Sequence, residues 1–168
     1  FISHGKDVHI FSREELIAMA HVGVEAGHIR DKESRLIRNI FRFESIKVTD
    51  IMTPRTVISS LPGDMKIIDS LEAITQTPFS RLPLYMTNID EITGFVLKED
   101  ILINAAKKRD DEKLNSLKRD ILAIPDSVTL TALFERFLKD RQHIAIVVNE
   151  HGGTDGLVTL EDLIETLM

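Results

Sequence analysis

Thr159 and Asp162 form a Thr-x-x-Asp motif near the end of the chain, where both side chains could contact a polar ligand. The two oxygens of a carboxylate can accept hydrogen bonds from neighbouring hydroxyls of a ligand. A threonine hydroxyl and the free N–H groups at the start of a helix can face a phosphate. The same spacing is also that of a helix cap, with Thr159 as N-cap and Asp162 in the first turn. The motif therefore predicts the start of a helix, and a ligand role stands beside that structural one.

Patterns that indicate catalysis are missing from the sequence. It contains no cysteine, which excludes disulfides, thiol catalysis and Cys-ligated zinc. The six histidines are scattered, and none forms the i, i+4 pair with a neighbouring glutamate that zinc catalysis uses. There is no Gly-x-Ser-x-Gly, no P-loop and no Gly-x-Gly-x-x-Gly. We therefore expect no enzyme and no dedicated metal site.

The composition is that of a globular protein, with 168 residues of which 43% are hydrophobic and 29% charged. A net charge of −6 argues against a nucleic-acid partner, because binding to many phosphates needs a basic face. It does not exclude a single bound nucleotide. No apolar run reaches the length of a membrane span, and no signal peptide is visible. Because residue 1 is Phe, we expect the chain to be a piece of a longer protein.

The sequence after residue 47 contains an internal repeat. Pro62 matches Pro125 at an offset of 63, and residues 94–100 (GFVLKED) match residues 156–162 (GLVTLED) at an offset of 62. Units of this size bury little surface alone, so they gain from packing on each other. The matching apolar positions predict a pseudo-symmetric pair, and the cleft between the two units is the natural place for a ligand.

Each unit is predicted to contain a strand, a helix, two strands and a closing helix. In the helix predicted at residues 65–75, four apolar residues are expected to face inward: Ile67, Ile68, Leu71 and Ile74. The other elements of the first unit are predicted at residues 57–61, 82–85, 92–97 and 98–106. Those of the second unit are predicted at residues 121–124, 130–139, 144–149, 156–159 and 160–167. A charged linker, residues 107–113, separates the units.

Residues 12–43 predict two helices ahead of the repeats. Ser12 to Glu15 has capping-box spacing, Gly27 is expected to end the first helix, and Asp31 is expected to cap the second. The charges outside each apolar stripe indicate a hairpin on the surface of the next domain. The predicted fold class is therefore α/β (α+β), with a helical connector at residues 1–46, a first repeat at 47–107 and a second repeat at 108–168.

The two units resemble a tandem pair of cystathionine-β-synthase (CBS) domains, which share the ending Gly-apolar-apolar-x-x-x-Asp. Residues 48–55 (VTDIMTPR), 79–84 (FSRLPL) and 147–162 (VVNEHGGTDGLVTLED) are similar to the CBS pair of the cyclin M and hemolysin-C-like magnesium and cobalt efflux proteins. Residues 11–43 are similar to that family's connector. The resemblance covers nearly the whole chain. It implies two β-α-β-β-α CBS repeats packed as a pseudo-twofold pair, preceded by a short helical segment.

The resemblance also implies one adenosine-nucleotide site in the second repeat. Thr159 and Asp162 would hold the ribose and phosphate, and the backbone of Leu157 would lie along the edge of the base. In the first repeat Leu97 stands where Thr159 stands, although Asp100 is kept. We therefore expect one nucleotide per chain and an empty or weak site in the first repeat.

Three further residues have two interpretations each. Thr53 would approach the base or phosphate, or it only ends a strand before Pro54. Phe79 could stack on adenine or pack in the core. Arg81 could pair with phosphate or be a solvated surface residue.

By resemblance, the chain is a regulatory module on the cytoplasmic face of a membrane that binds AMP or ATP. Whether Mg²⁺ accompanies the nucleotide stays open; the acidic residues of the last helix could lie near such an ion, and a solvated acidic face is the simpler interpretation. The partners implied are the membrane-embedded transport part of the same parent chain and a second copy in a homodimer. The alternative is a dimerisation scaffold of the same fold whose cleft is empty.

Overall fold

The computed structural model describes residues 10–168, which contain six α-helices and seven β-strands. The helices are α1 (Arg13–Glu25), α2 (Asp31–Arg42), α3 (Ile67–Thr75), α4 (Lys98–Ala106), α5 (Leu130–Asp140) and α6 (Leu160–Leu167). The strands are β1 (Thr53–Pro54), β2 (Leu61–Pro62), β3 (Arg81–Tyr85), β4 (Ile92–Leu97), β5 (Leu122–Pro125), β6 (Ile144–Val148) and β7 (Thr154–Thr159). Short 3-10 turns lie at Val48–Asp50, Arg55–Val57 and Leu114–Leu117.

The first two helices form the predicted hairpin and pack against each other. Ser12 caps α1, since its hydroxyl accepts a hydrogen bond from the amide of Glu15 at 3.1 Å. Gly27 follows the helix with a φ of +81°, a left-handed conformation that favours glycine. The prediction that Asp31 caps α2 is wrong by one residue. Arg30 takes the cap position, because the carboxylate of Glu33 accepts the amide of Arg30 at 3.1 Å and satisfies that N–H from inside the helix.

The two repeats each contain the predicted order of strand, helix, strand, strand and helix. In the first sheet β2 pairs in parallel with β3, which pairs antiparallel with β4. In the second sheet β5, β6 and β7 are arranged in the same way. Strand β1 adds to the second sheet by pairing antiparallel with β7. The fold class and the tandem arrangement inferred from the sequence are therefore confirmed.

Two details of the first repeat differ from the prediction. The strand predicted at residues 57–61 covers only Leu61–Pro62, because the amide of Ile58 donates to the carbonyl of Arg55 and closes a 3-10 turn there. Ile68 was expected to face inward and instead has 45% of its surface exposed. Consecutive residues of a helix differ by about 100°, so Ile68 is rotated away from the face that buries Ile67 and Ile74.

Each repeat completes its core with the first segment of the other repeat. Val48 lies at the start of the first repeat but is fully buried in the core of the second, where its amide donates to the carbonyl of Val128 at 2.9 Å. Leu114 lies near the start of the second repeat but is fully buried in the core of the first, where its amide donates to the carbonyl of Met65 at 2.9 Å. The two lead segments, residues 46–54 and 112–119, are thus exchanged between the repeats.

Two glycines at matching positions make room for this exchange. In the pair formed by β1 and β7, Thr53 lies opposite Leu157, the residue that follows Gly156 in the chain. A Cβ atom on Gly156 would lie 2.6 Å from the carbonyl oxygen of Thr53, closer than van der Waals contact permits. A Cβ atom on Gly94 would lie 2.5 Å from the carbonyl oxygen of Arg119. Both obstacles are backbone atoms, so a side chain at either position would push the exchanged segment away from its strand.

We expect Gly156→Ala to destabilise the protein by about 1–3 kcal/mol, the usual cost of overpacking a close contact. Urea unfolding followed by circular dichroism gives the free energy of unfolding. Gly153→Ala is the control, because the three atoms nearest to its Cβ belong to the side chain of Asn149, the closest at 3.2 Å, and none of them is a backbone atom. Equal stability of Gly156→Ala and the wild-type protein would contradict the close approach of β1.

Candidate functional site

A cleft of about 330 Å³ brings together all six residues that the sequence predicts as ligand contacts. Its walls come from β1, from β7 with the first turns of α6, and from the segment that leads into β3. These stretches are far apart in sequence, and β1 reaches the cleft because it joins the second sheet beside β7. The six residues are Thr53, Phe79, Arg81, Leu157, Thr159 and Asp162.

Thr159 and Asp162 cap the start of α6 in a reciprocal pair of hydrogen bonds. The hydroxyl of Thr159 accepts the amide of Asp162 at 3.2 Å, and the carboxylate of Asp162 accepts the amide of Thr159 at 2.8 Å. The capping role considered from the sequence is therefore present in the structure. Both side chains are only half-buried and both line the cleft, so they can also be reached by a ligand.

Thr53 reaches the cleft through the exchange of lead segments. It lies directly opposite Leu157 in the β1–β7 pair. The side chains of Thr53 and Leu157 are both half-buried and both line the cleft. Thr53 does precede Pro54 within a short strand, so its structural role and its place in the cleft coexist.

The two interpretations of Phe79 can be separated by its exposure. The ring is 59% exposed and lines the cleft, so packing in the hydrophobic core is excluded for this residue. Arg81 is half-buried at the first position of β3 and lines the same cleft, so it is not a freely solvated residue. Among residues 10–168, its guanidinium group forms no salt bridge within 4.0 Å.

Several lining residues were missed by reasoning from the sequence. Val57 and Ile58 were placed in a strand, but Val57 ends a 3-10 turn, Ile58 follows that turn, and both form part of an apolar wall. Ile144 could have been found, because it lies opposite Thr159 in the β6–β7 pair that the repeat predicts. The remaining lining residues are Ser59, Pro78, Ser80, Pro83, Glu161 and Glu165.

The corresponding position in the first repeat has different chemistry. Leu97 stands at the N-cap of α4 and provides no side-chain hydrogen bond to the helix. The carboxylate of Asp100 is held instead by Arg119 at 3.0 Å. The start of α4 therefore lacks the hydroxyl that Thr159 provides at α6, and its carboxylate, that of Asp100, is already paired.

Comparison with known proteins identifies the architecture. The family model for the CBS domain matches residues 48–107 and residues 114–168. The chain belongs to the CBS domain family. Each match covers one repeat, and the second match begins at Leu114, the residue that the exchange buries in the first repeat.

Solved CBS pairs have the same fold as this chain. The CBS domain of a bacterial CNNM/CorC family Mg²⁺ transporter is 31% identical with a TM-score of 0.86, over 94% of this chain and 96% of that one. A structure of that kind of CBS domain in complex with ATP is 31% identical with a TM-score of 0.77, over 81% of this chain and 96% of that one. These matches confirm the resemblance found in the sequence.

Curated relatives are longer than this CBS pair. The hemolysin C homolog of Rickettsia rickettsii is 34% identical over 137 residues, which is 81% of this chain and 46% of the relative. The chain spans less than half the length of the curated relatives it matches. Among the helices of residues 10–168, none combines the length and the apolar character needed to cross a bilayer.

Loss of the Thr159 hydroxyl should lower the free energy of unfolding by the amount that is usual for the loss of a helix N-cap. Thr159→Ala and Thr129→Ala are each expected to lower the free energy of unfolding by about 1 kcal/mol. Thr129 is the matched control, because its hydroxyl accepts the amide of Ala132 at 3.3 Å at the start of α5, outside the cleft. Urea unfolding of both variants tests this, and an unchanged stability of Thr159→Ala would show that its cap contributes nothing.

Proposed function

We propose that this CBS pair is a regulatory module that binds one adenosine nucleotide, AMP or ATP, in the cleft of the second repeat. The observation that carries the proposal is the convergence in one cleft of an accessible aromatic ring, a carboxylate, a helix start and an arginine. Base, ribose and phosphate need those four kinds of group. No catalytic role is proposed, since among the described residues neither Ser59 nor Ser80 of the cleft is hydrogen-bonded to a carboxylate or a histidine that could act as its base.

The apolar part of the cleft suits a purine base. The exposed ring of Phe79 offers a face for stacking, and Val57 and Ile58 supply aliphatic surface beside it. The backbone of β7 at Leu157 can contact the edge of the base. The carboxylate of Asp162 then provides the acceptor for the ribose hydroxyls, as an acidic residue does in other nucleotide-binding folds.

The polar part of the cleft suits phosphate. Arg81 supplies a guanidinium group with several donors, and the start of α6 supplies partial positive charge and the hydroxyl of Thr159. Glu161 and Glu165 line the same cleft and would repel a triphosphate. A divalent cation between the carboxylates and the phosphates removes that repulsion, so for ATP we include Mg²⁺ in the proposal.

Similar proteins support this assignment and suggest what it regulates. The ATP complex of a CNNM/CorC family CBS domain shows that a pair of this fold and similar sequence can hold ATP. We extend the proposal to a parent chain with a membrane-embedded transporter of magnesium or cobalt, and to a place on the cytoplasmic side of that membrane. A route for regulation runs along α6, whose last residue, Leu167, accepts a hydrogen bond from Asn39 of α2 at 2.7 Å.

The nucleotide site is tested with Asp162→Asn. The asparagine oxygen can still accept the amide of Thr159, so the cap is kept while the charge facing the ribose is lost. A hydrogen bond to a charged group contributes roughly 1.5–3 kcal/mol, so affinity should fall about tenfold to a hundredfold. Calorimetric titration with adenosine, AMP and ATP, with and without Mg²⁺, separates the ribose contact from effects on phosphate.

Asp100→Asn is the matched control, because it changes the same position of the first repeat, where Arg119 holds the carboxylate. It should leave nucleotide affinity unchanged and the stoichiometry at one nucleotide per chain. Thr159→Ala should weaken binding where Thr129→Ala does not. The proposal would be contradicted if Asp162→Asn and Asp100→Asn bound nucleotide with equal affinity. It would also be contradicted by a stoichiometry of two equivalent sites per chain.

Exposed apolar residues on the repeat helices favour a second role as a dimerisation module. Leu102 on α4 and Ile164 on α6 occupy matching positions of the two repeats, and they are 48% and 47% exposed. Ile68 on α3 and Leu138 on α5 add to the exposed apolar surface. We propose that a second copy covers these helices in a homodimer with an isologous interface.

The double variant Leu102→Glu/Ile164→Glu should convert this dimer to a monomer, because burying two carboxylates at each side of the interface is costly. Light scattering coupled to gel filtration measures the mass. Val22→Glu is the control, since Val22 is equally apolar and 61% exposed but lies on α1 of the hairpin. A wild-type protein that stays monomeric at high concentration would count against the homodimer.

A further inference from the structure

A second cavity, of about 450 Å³, lies between the first repeat and the turn that precedes β6. Three arginines contribute to its walls: Arg81, Arg119 and Arg141. His143 adds an imidazole, and Asp120 is the one carboxylate among the lining residues of the described chain. With His143 neutral, the lining carries a formal charge of +2, which the carboxylate of Asp100, paired with Arg119, reduces to +1, in a protein whose net charge is −6.

The repeat shows how this cavity differs from the nucleotide cleft. At the offset of 62 residues, Arg141 stands where Phe79 stands and Leu97 stands where Thr159 stands. The ring for a base and the hydroxyl at the helix start are therefore both replaced. The counterpart of Asp162 is Asp100, which is bound to Arg119, and the carboxylate that lines this cavity is that of Asp120 instead. The adenosine chemistry has been lost and cationic groups have been gained.

Two further features raise the positive potential of this cavity. Arg141 ends α5 with a φ of +51°, a left-handed conformation that is uncommon for residues other than glycine. Its guanidinium group, like that of Arg81, forms no salt bridge with any of residues 10–168. The start of α4 at Leu97, which lines the cavity, lacks a side-chain cap. The first amide of α4, that of Lys98, already donates to the carbonyl of Ser80 at 2.8 Å, so the two guanidinium groups are the main attraction for an anion and the helix start adds partial positive charge.

We propose that this second cavity binds a phosphate-type oxyanion without a nucleoside, held by Arg141, Arg81 and Arg119. Guanidinium groups suit this ligand, because their planar forks match the oxygens of phosphate. The proposal goes beyond the nucleotide site and does not require that site to be occupied. Since Arg81 lines both cavities, the oxyanion has two conceivable sources: a free ion, or the terminal phosphates of a nucleotide bound next door.

The experiment titrates inorganic pyrophosphate, AMP and ATP into the wild-type chain and into Arg141→Asn, by calorimetry at fixed ionic strength. Asparagine tolerates the left-handed backbone and removes the charge. We expect binding of the oxyanion to weaken about tenfold or more, the effect of losing a charged hydrogen-bond donor. Arg141→Lys keeps the charge without the fork and should lie between the two. Arg38→Gln, an exposed charge on α2 outside both linings, should change nothing.

The arms of the experiment distinguish the two sources. Weaker pyrophosphate binding with unchanged ATP binding identifies a free oxyanion. Weaker ATP binding with unchanged AMP binding identifies the terminal phosphates of the nucleotide. If Arg141→Asn, shown by thermal unfolding to be folded, binds pyrophosphate and ATP as the wild type does, the proposal is wrong. Asp162→Asn should retain pyrophosphate binding, so failure of the nucleotide site and failure of this one give different results.

Discussion

The exchange of lead segments is the constraint on which the rest of this structure depends. Val48 and Leu114 each lie at the start of one repeat and fill the core of the other, and both are fully buried. The exchange brings backbone directly beside β4 and β7, which requires that Gly94 and Gly156 carry no side chain. The composition of the second sheet and the place of Thr53 in the cleft follow from this exchange.

The cleft at the start of α6 and the second cavity show how one repeated frame carries two different sets of side chains. The backbone elements that border them correspond, and only a few side chains differ. At the start of α6, Thr159 and Asp162 satisfy the helix and remain accessible to a ligand. At the start of α4, Asp100 is neutralised by an arginine that arrives with the exchanged segment. Under the two proposals above, differences such as Thr159 against Leu97 and Phe79 against Arg141 decide which cavity takes a nucleoside and which takes a bare anion.

Local sequence patterns predicted much of this fold, but they did not predict the exchange of lead segments between the repeats. The cap at Ser12, the glycine after α1 and the boundaries of α4, α6 and β4 depend on neighbouring residues, which a sequence displays directly. The six site residues were reached through family motifs. The places of Val57 and Arg119 in the structure could not be predicted from the sequence, because strands and helices from elsewhere in the chain determine what surrounds them. An apolar run alone cannot tell a buried strand from the wall of a cleft.

The exchange also bears on how such a pair could arise by duplication. A single repeat cut from this chain would lack either Val48 or Leu114 in its core and would expose the unpaired face of β4 or β7. Two separate copies could complete each other's cores only by exchanging their lead segments, which requires two molecules to meet. Joining them in one chain replaces that encounter with an intramolecular step at high effective concentration. Fusion of the two repeats into one chain would therefore make permanent a pairing that each repeat already needs to complete its core.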